Sequence, residues 1–451
     1  MSVSPIESVI WGDLYSSEEM RALFSDRSQL QFMLDVEAAL ARAEARLGLV
    51  PANVAEAITK AACVDNLNVE RIAESTKKVG YPVIGLVEEL SRVAGEEAAR
   101  YIHLGATTQD ILDTALVLQI KKALGILRRD TIGLARSFCP LIRRYRDTPL
   151  AGRTHLKHAV PITFGFKCAV WAMPFIAHVE RLDSVSRRVC VVEFGGAAGT
   201  LASLGAQGPA VAQALAEELG LSVPLIPWHV VRDGLAEVAC LAGLICASVG
   251  KFALDVALMM QTEVGEVAEP YVEGRGGSST MPQKRNPLAS EYILAATRCV
   301  HALVPMMLSA MVQDHERSTG PWQSEALALP QCLALTAGAL EHARAVAEGM
   351  QVNPERMRHN LEAEFGLIMA EAVSAALTPK IGRAAAHRAV SRLCNRAIEE
   401  RRSLKEVLRY GVSVATYLSP EEIERTTEIT AYLGSAGLFA DRVADRIERL
   451  T

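Results

Sequence analysis

Apolar residues recur at helical spacing through most of the chain, and no series of strands stands out. Leu30, Met33 and Leu34 share one helix face, and the pattern predicts a pair of amphipathic helices over residues 17–48. Residues 233–269 contain no proline and many apolar positions, which predicts the longest helix, of about 50 Å. A helix so apolar is expected to be covered by neighbours, including other subunits.

Three polar stretches interrupt this helical pattern, and each is rich in hydroxyls or cations. Residues 103–110, HLGATTQD, precede a helix whose first N–H groups suit an anion. Residues 151–161, AGRTHLKHAVP, form a polar loop with two histidines, an arginine and a lysine. Residues 276–287, GGSSTMPQKRNP, carry two cations and an amide between prolines. All three suit a carboxylate substrate, although each taken alone also fits a solvated connector or a surface patch.

Composition narrows the class of protein. The 451 residues are 50% hydrophobic, enough for a large core, and the net charge of −5 argues against a general nucleic-acid binder. The nine cysteines form no CxxC pair, which is typical of reduced core cysteines in a cytosolic protein. His155 and His158 have no acidic or cysteine ligand nearby in sequence, so no metal is expected. No signal peptide is expected, because the first 15 residues carry acids and no cation. No membrane span is expected either, because the longest charge-free apolar run, between Glu237 and Lys251, is too short.

The three polar stretches together resemble the fumarase/aspartase superfamily of lyases, and the resemblance extends over essentially the whole chain. GSSTMPQKRNP at residues 277–287 is close to that family's best-known motif. The resemblance implies an all-α, three-domain subunit with a long central helix bundle and a homotetramer core of twenty helices. The domains are expected at residues 1–111, 112–352 and 353–451. Each active site would take loops from three subunits and act on a small carboxylate substrate, with neither metal nor organic cofactor.

The same resemblance implies a role for each matching residue. Ser278 is the expected catalytic base, carried on a loop hinged at Gly276 and Gly277, and His155 is the expected general acid for the leaving group. A serine hydroxyl is a poor base at neutral pH, so nearby cations and N–H groups must favour its alkoxide. The expected substrate-binding residues are Thr107, Thr108, Arg153, Thr154, Lys284, Asn286, His103 and Ser279.

Within the superfamily, the chain looks most like the bacterial 3-carboxy-cis,cis-muconate cycloisomerases of aromatic catabolism. The segments that carry this likeness include FGGAAGTLASLG, PWHVVRD and QDHERSTGPWQSE. Those enzymes add a carboxylate across a double bond and close a lactone. A fumarate-releasing C–N lyase, such as an adenylosuccinate or N-substituted aspartate lyase, is the alternative, because some muconate cycloisomerases carry tryptophan where this chain has His155. A non-catalytic, crystallin-like homologue is a remote alternative.

Overall fold

The computed structural model describes residues 3–271, 276–277, 280–281, 283–410 and 416–451. It is 71% helical, and the expectation of an all-α fold is confirmed. The α-helices run in chain order as α1 (Gly12–Tyr15), α2 (Glu18–Leu23), α3 (Asp26–Arg46), α4 (Ala52–Ala61), α5 (Val69–Val79), α6 (Pro82–Ala94), α7 (Glu96–Ala99), α8 (Thr108–Arg144), α9 (Phe164–Val189), α10 (Gly208–Leu219), α11 (Asp233–Met259), α12 (Leu288–Ala310), α13 (Pro321–Gly349), α14 (Pro354–Glu362), α15 (Ala370–Ile381), α16 (Arg383–Glu400), α17 (Leu404–Tyr410), α18 (Pro420–Thr427) and α19 (Ala436–Glu448). The short strands are β1 (Pro149–Thr154), β2 (Lys157–Thr163), β3 (Val267–Ala268) and β4 (Gln351–Val352).

The chain forms two compact units, and each is assembled from three separate ranges. Unit 1 comprises Met1–Thr131, His178–Ala247 and Ala295–Glu341, and unit 2 comprises Ile132–Ala177, Ser248–Leu294 and His342–Thr451. The long helices α8, α9, α11, α12 and α13 contribute residues to both units. The three-domain division along the sequence stays a prediction.

The predicted helix pair near the N-terminus is confirmed as α2 and α3. Ser25 stands between them and accepts the backbone N–H of Ser28, which caps the start of α3. One face of α3 is buried against α4 and α10, and Leu40 and Ala43 join a cluster with Val211 and Leu215. This burial matters for the site, because the same face carries two carboxyl side chains.

The prediction of the longest helix was wrong in its place and its extent. The longest helix is α8, whose 37 residues span about 55 Å and pass through Pro140. By contrast, α11 ends at Met259, whose carbonyl accepts the N–H of Glu266 after a turn in which Gly265 has a φ of +60°. Pro379 lies inside α15, which continues to Ile381 and ends at Gly382.

The predicted polar loop at residues 151–161 is a β-hairpin. Strands β1 and β2 pair antiparallel, with Thr154 opposite Lys157, so a two-residue turn joins them. A register shift between Ala151 and Arg153 marks a bulge at Gly152, where a Cβ would lie 2.7 Å from the carbonyl oxygen of Val160. The hairpin was missed because its turn lacks the asparagine or glycine that usually announces one.

Within the described part of the chain, two helices, α11 and α12, are long and apolar enough to cross a membrane by length and composition alone. Their most apolar windows have mean hydropathies of 1.8 and 1.5, and 56% and 33% of those windows are buried within the chain. Buried core helices meet the same criterion.

Candidate active site

The first motif of the site lies at the start of α8 in unit 1. Thr107 precedes the helix and Thr108 is its first residue, and the Asp110 carboxylate accepts the backbone N–H of Thr107 at 2.9 Å. Both threonine side chains are half-buried, and neither hydroxyl hydrogen-bonds to a residue that the structure describes. The start of this helix therefore presents two unengaged hydroxyls, which can donate to a carboxylate.

His103 lies just ahead of these threonines, in the left-handed conformation with a φ of +64°. Its Nδ1 lies 2.6 Å from Oε1 of Glu37, which is buried on α3. Burial lowers the pKa of His103, but the hydrogen bond to Glu37 and the negative charges of Glu37 and Asp110 outweigh it, so the pKa is raised above its usual value.

Asp110 is the junction that holds the first motif in place. Its Oδ1 accepts the backbone N–H of Gly195 at 2.9 Å and lies 2.7 Å from Nε2 of His229. Its Oδ2 accepts the N–H of Gly196, also at 2.9 Å, besides that of Thr107. The carboxylate is buried and fully engaged, so it fixes the start of α8 against a glycine-rich turn and the segment around residue 229.

A second buried network lies one helical turn further along α8. The guanidinium of Arg232, almost wholly buried, pairs with Asp113 at 2.5 and 2.9 Å and with Glu325 at 2.5 and 2.9 Å. Trp322 donates its indole N–H to Asp113, and Arg232 lies over the ring of Trp228. The two carboxylates raise the pKa of Arg232 despite its burial, so the cation persists. The Arg232 cation thus joins its own segment to α8, through Asp113, and to α13, through Glu325.

Asp110, Glu193 and His229 are close enough together to suggest a metal site, and all three are buried. The donor set does not fit one, because backbone N–H groups already occupy both oxygens of Asp110. Burial, together with the negative charges of Asp110 and Asp113, raises the pKa of Glu193 to about 9, although the N–H of Trp228 opposes the shift. A neutral carboxyl is a weak cation ligand, so the cluster is better explained as a hydrogen-bond network.

The second motif is the hairpin of unit 2, and its tip is His155 and Leu156. Both have left-handed backbones, with φ of +50° and +64°, and both are exposed. Thr154, at the end of β1, is also exposed. Arg153 is engaged differently, because its guanidinium forms a bidentate pair with the buried Glu266 at 2.7 and 2.9 Å.

The third motif, also in unit 2, is a loop closed at its base. The N–H of Asn286 donates to the carbonyl of Gly276 at 3.1 Å, and Gly277 pairs with Arg285. Gly276 has a φ of +69°, and a Cβ there would lie 3.0 Å from the carbonyl oxygen of Asn286. The side chains of Lys284 and Asn286 make no hydrogen bond to a described residue. Ser278 and Ser279, the expected base and its neighbour, lie outside the described residues.

Helix α12 begins directly after this loop and is anchored by a carboxylate. Glu269 accepts the backbone N–H groups of Ala289 and Ser290, at 3.0 and 2.8 Å, and the Ser290 hydroxyl at 2.8 Å. An acidic side chain on the first N–H groups of a helix stabilises that end. Glu269 therefore fixes the start of α12, which follows Lys284 and Asn286 directly in the chain.

Several residues that shape the site were not expected from the sequence. Glu37, Glu193 and Glu269 carry no local signal, because their partners stand 20 to 66 residues away. His229 and Arg232 do lie in the segment PWHVVRD, which resembles the cycloisomerase branch. The resemblance alone assigns these two residues no role. The structure gives that segment a role as the partner of Asp110 and Asp113.

Comparison with known proteins agrees with the motifs. Residues 15–301 match the lyase family, and residues 366–443 match the adenylosuccinate lyase C-terminus family. The chain is 48% identical over 431 residues, or 95% of its length and 94% of the relative's, to a 3-carboxy-cis,cis-muconate cycloisomerase of Pseudomonas aeruginosa. It is 38% identical to a nitrosuccinate lyase of Streptomyces davaonensis, covering 98% of this chain and 96% of that one.

Among solved structures, the chain is similar to the 3-carboxy-cis,cis-muconate lactonizing enzyme from Pseudomonas putida. The TM-score is 0.91 at 44% identity, and the match covers 97% of this chain and 98% of that one. The three motifs, the helical fold and these matches agree with one another. The chain belongs to the lyase family and is an enzyme of the fumarase/aspartase superfamily.

Proposed function

We propose that this enzyme acts on 3-carboxy-cis,cis-muconate, or on a close polycarboxylate relative, and closes a lactone as a step of aromatic catabolism. The observation that carries the proposal is the 48% identity, over 95% of the chain, to a protein of that name. An anionic substrate is supported by described polar groups that make no hydrogen bond to a described residue, namely the hydroxyls of Thr107 and Thr108, the Lys284 cation and the Asn286 amide.

The chemistry is an addition across a carbon–carbon double bond. One carboxylate oxygen of the substrate forms the new C–O bond, and the π electron pair moves into the neighbouring carboxylate. A proton then reaches the adjacent carbon and completes the lactone. The transition state gathers negative charge beside a carboxylate, so fixed N–H groups and cations around that carboxylate lower the barrier.

The residues take the following roles in this proposal. Ser278 returns the proton to carbon during lactone closure, and in the reverse direction its alkoxide removes that proton. Lys284 and Asn286 bind the carboxylate that accepts the charge. Thr107 and Thr108 bind a second carboxylate at the start of α8. The remaining groups proposed to contact substrate are His103, Arg153, Thr154 and Ser279, with His155 as the acid for a leaving group that needs a proton.

The direct test incubates the purified enzyme with 3-carboxy-cis,cis-muconate and follows lactone formation by NMR. Parallel reactions with adenylosuccinate, argininosuccinate, aspartate and N-substituted aspartates are followed for fumarate release. We expect a lactone from the muconate and little fumarate from the others. Fumarate without lactone would replace the proposed function with the alternative below.

A fumarate-releasing C–N lyase is the second candidate, and it is favoured by His155 and by the similarity to a nitrosuccinate lyase. An amine leaving group needs a proton as the C–N bond breaks, whereas the leaving group in lactone opening is a carboxylate and needs none. His155→Ala should therefore slow C–N elimination by about 10²-fold and change lactonisation far less. A rate loss of that size in lactonisation would contradict this division of roles.

We further propose that the enzyme is a homotetramer in the cytosol, with sites shared between subunits. The support is that α12 is highly apolar yet only 33% of its most apolar window is buried within one chain. Leu244 and Leu254 on α11, and Leu327 on α13, are also about half exposed. Multi-angle light scattering is expected to give four times the 48.7 kDa chain mass. A stable monomer would contradict the proposal.

The nine free thiols support the proposed cytosolic location, because the cytosol is a reducing compartment.

A further inference from the structure

The face of α3 that is buried in unit 1 carries two carboxyl groups, Glu37 and Glu44, seven residues apart. Both are buried within the chain. Neither oxygen of Glu44 has a hydrogen-bond partner among the described residues, whereas Glu37 binds His103 through Oε1. Burial and the negative charge of Glu37 raise the pKa of Glu44 to about 8, so Glu44 is neutral at neutral pH. Glu37 therefore differs from Glu44 in one respect: it has a basic partner.

That partner is oriented by the contact. An imidazolium has two N–H donors, and Nδ1 of His103 is committed to Glu37 at 2.6 Å. About a fifth of the His103 side chain is exposed, and its Nε2 makes no hydrogen bond to any described residue. A carboxylate behind one ring nitrogen fixes the ring and favours a proton on the other. Nε2–H is then the donor left for a ligand.

We propose that Glu37 is a positioning residue for substrate binding: it holds His103 as an imidazolium whose Nε2–H binds a carboxylate of a polycarboxylate substrate. The inference rests on the proposed function only in its substrate class. It extends the site inward to a residue that does not touch the substrate, and it explains why a carboxylate with one unpaired oxygen stands buried on α3.

The charges around His103 set the direction of the pH effect. The charged groups that act on it are Glu37 on α3 and Asp110 on α8, and both favour the imidazolium. The cation is complete below the raised pKa of His103 and is lost as pH rises through it. Affinity for a polycarboxylate should fall over the same range, because a neutral imidazole attracts a polyanion far less. Removing the charge of Glu37 should move that fall to lower pH.

The test is titration calorimetry of tricarballylate, a non-reacting tricarboxylate, against the whole enzyme between pH 6 and 9. We expect Glu37→Gln to weaken binding about tenfold near pH 7.5 and less as the pH falls, because the histidine of the variant then gains its proton. With an active substrate, KM should rise while kcat changes little. Glu44→Gln is the matched control, since it alters a buried carboxyl on the same helix face that touches no histidine; its affinity and KM should equal the wild type.

A double-variant cycle separates an effect through His103 from a general disturbance of α3. If Glu37 acts through His103, Glu37→Gln should add nothing to the loss already caused by His103→Gln. Additive losses, an equal loss in Glu44→Gln, or a wild-type pH profile in Glu37→Gln would each overturn the inference. So would a wild-type enzyme whose affinity for tricarballylate does not fall between pH 6 and 9. Failure of the proposed function is a separate result, namely no lactone from 3-carboxy-cis,cis-muconate.

Discussion

Ser278→Ala is expected to reduce turnover by about 10²- to 10⁴-fold, the usual range for losing a proton-transfer group. The reason is that the reaction needs a proton moved at the carbon beside a carboxylate, and an alanine methyl group can neither take nor return it. Binding should persist, because the groups proposed to bind the carboxylates are elsewhere. The measurements are kcat with the substrate that proves active and the affinity for tricarballylate.

The control for this variant is Thr280→Ala, which removes a hydroxyl two residues away that has no expected role. Circular dichroism and light scattering should give the same fold and size for both variants, because each substitution removes a single hydroxyl and Thr280 is exposed. A Ser278→Ala enzyme with kcat near the wild type would assign the proton transfer to another group.

Arg232→Met is expected to lower the free energy of unfolding by about 3–5 kcal/mol, the range seen when one partner of a buried ion pair is removed. Methionine replaces much of the packing but leaves Asp113 and Glu325 buried without their cation. Each carboxylate must then take up a proton or face the other across a site of low polarity. Denaturant unfolding at one fixed protein concentration measures the change.

The matched control is Arg188→Met, which removes an exposed pair with Glu237 in the same unit. Surface ion pairs contribute little, so this variant should unfold close to the wild type. If both variants unfold at the same denaturant concentration, the buried network contributes no more than a surface pair. Reduced activity in Arg232→Met with unchanged stability would instead indicate that the network mainly positions α8.

The sequence predicted the helical class and the regions of polar chemistry well, because both depend on local pattern. The apolar positions of α3 repeat at helical spacing, and Ser25 is a good cap, so α2 and α3 were found. The local pattern was misleading where packing and turns elsewhere in the fold decide where a helix ends. Residues 233–269 contain no proline, yet a turn that contains Gly265 ends α11 at Met259.

The residues behind the site were harder to find for the same reason. Asp110 meets Gly195 across 85 residues, and Arg232 meets Asp113 across 119. No spacing rule connects positions so far apart. In the sequence, Asp110, Asp113 and Arg232 look like any other charged residues. The family motifs identified the groups proposed to touch substrate, and only the fold brought their supporting carboxylates beside them.

The hairpin tip has a consequence for protein engineering. His155 and Leu156 both adopt a backbone that L-residues with side chains avoid, so this turn is less stable than an Asn-Gly turn of the same shape. An engineer who sought heat tolerance through consensus turns would choose this position early, and the exchange would remove the histidine proposed for catalysis. Natural enzymes commonly retain a local loss of stability where activity needs the residues concerned. Thermostabilising libraries for this enzyme should therefore exclude the two tip residues and draw their changes from the exposed surface elsewhere.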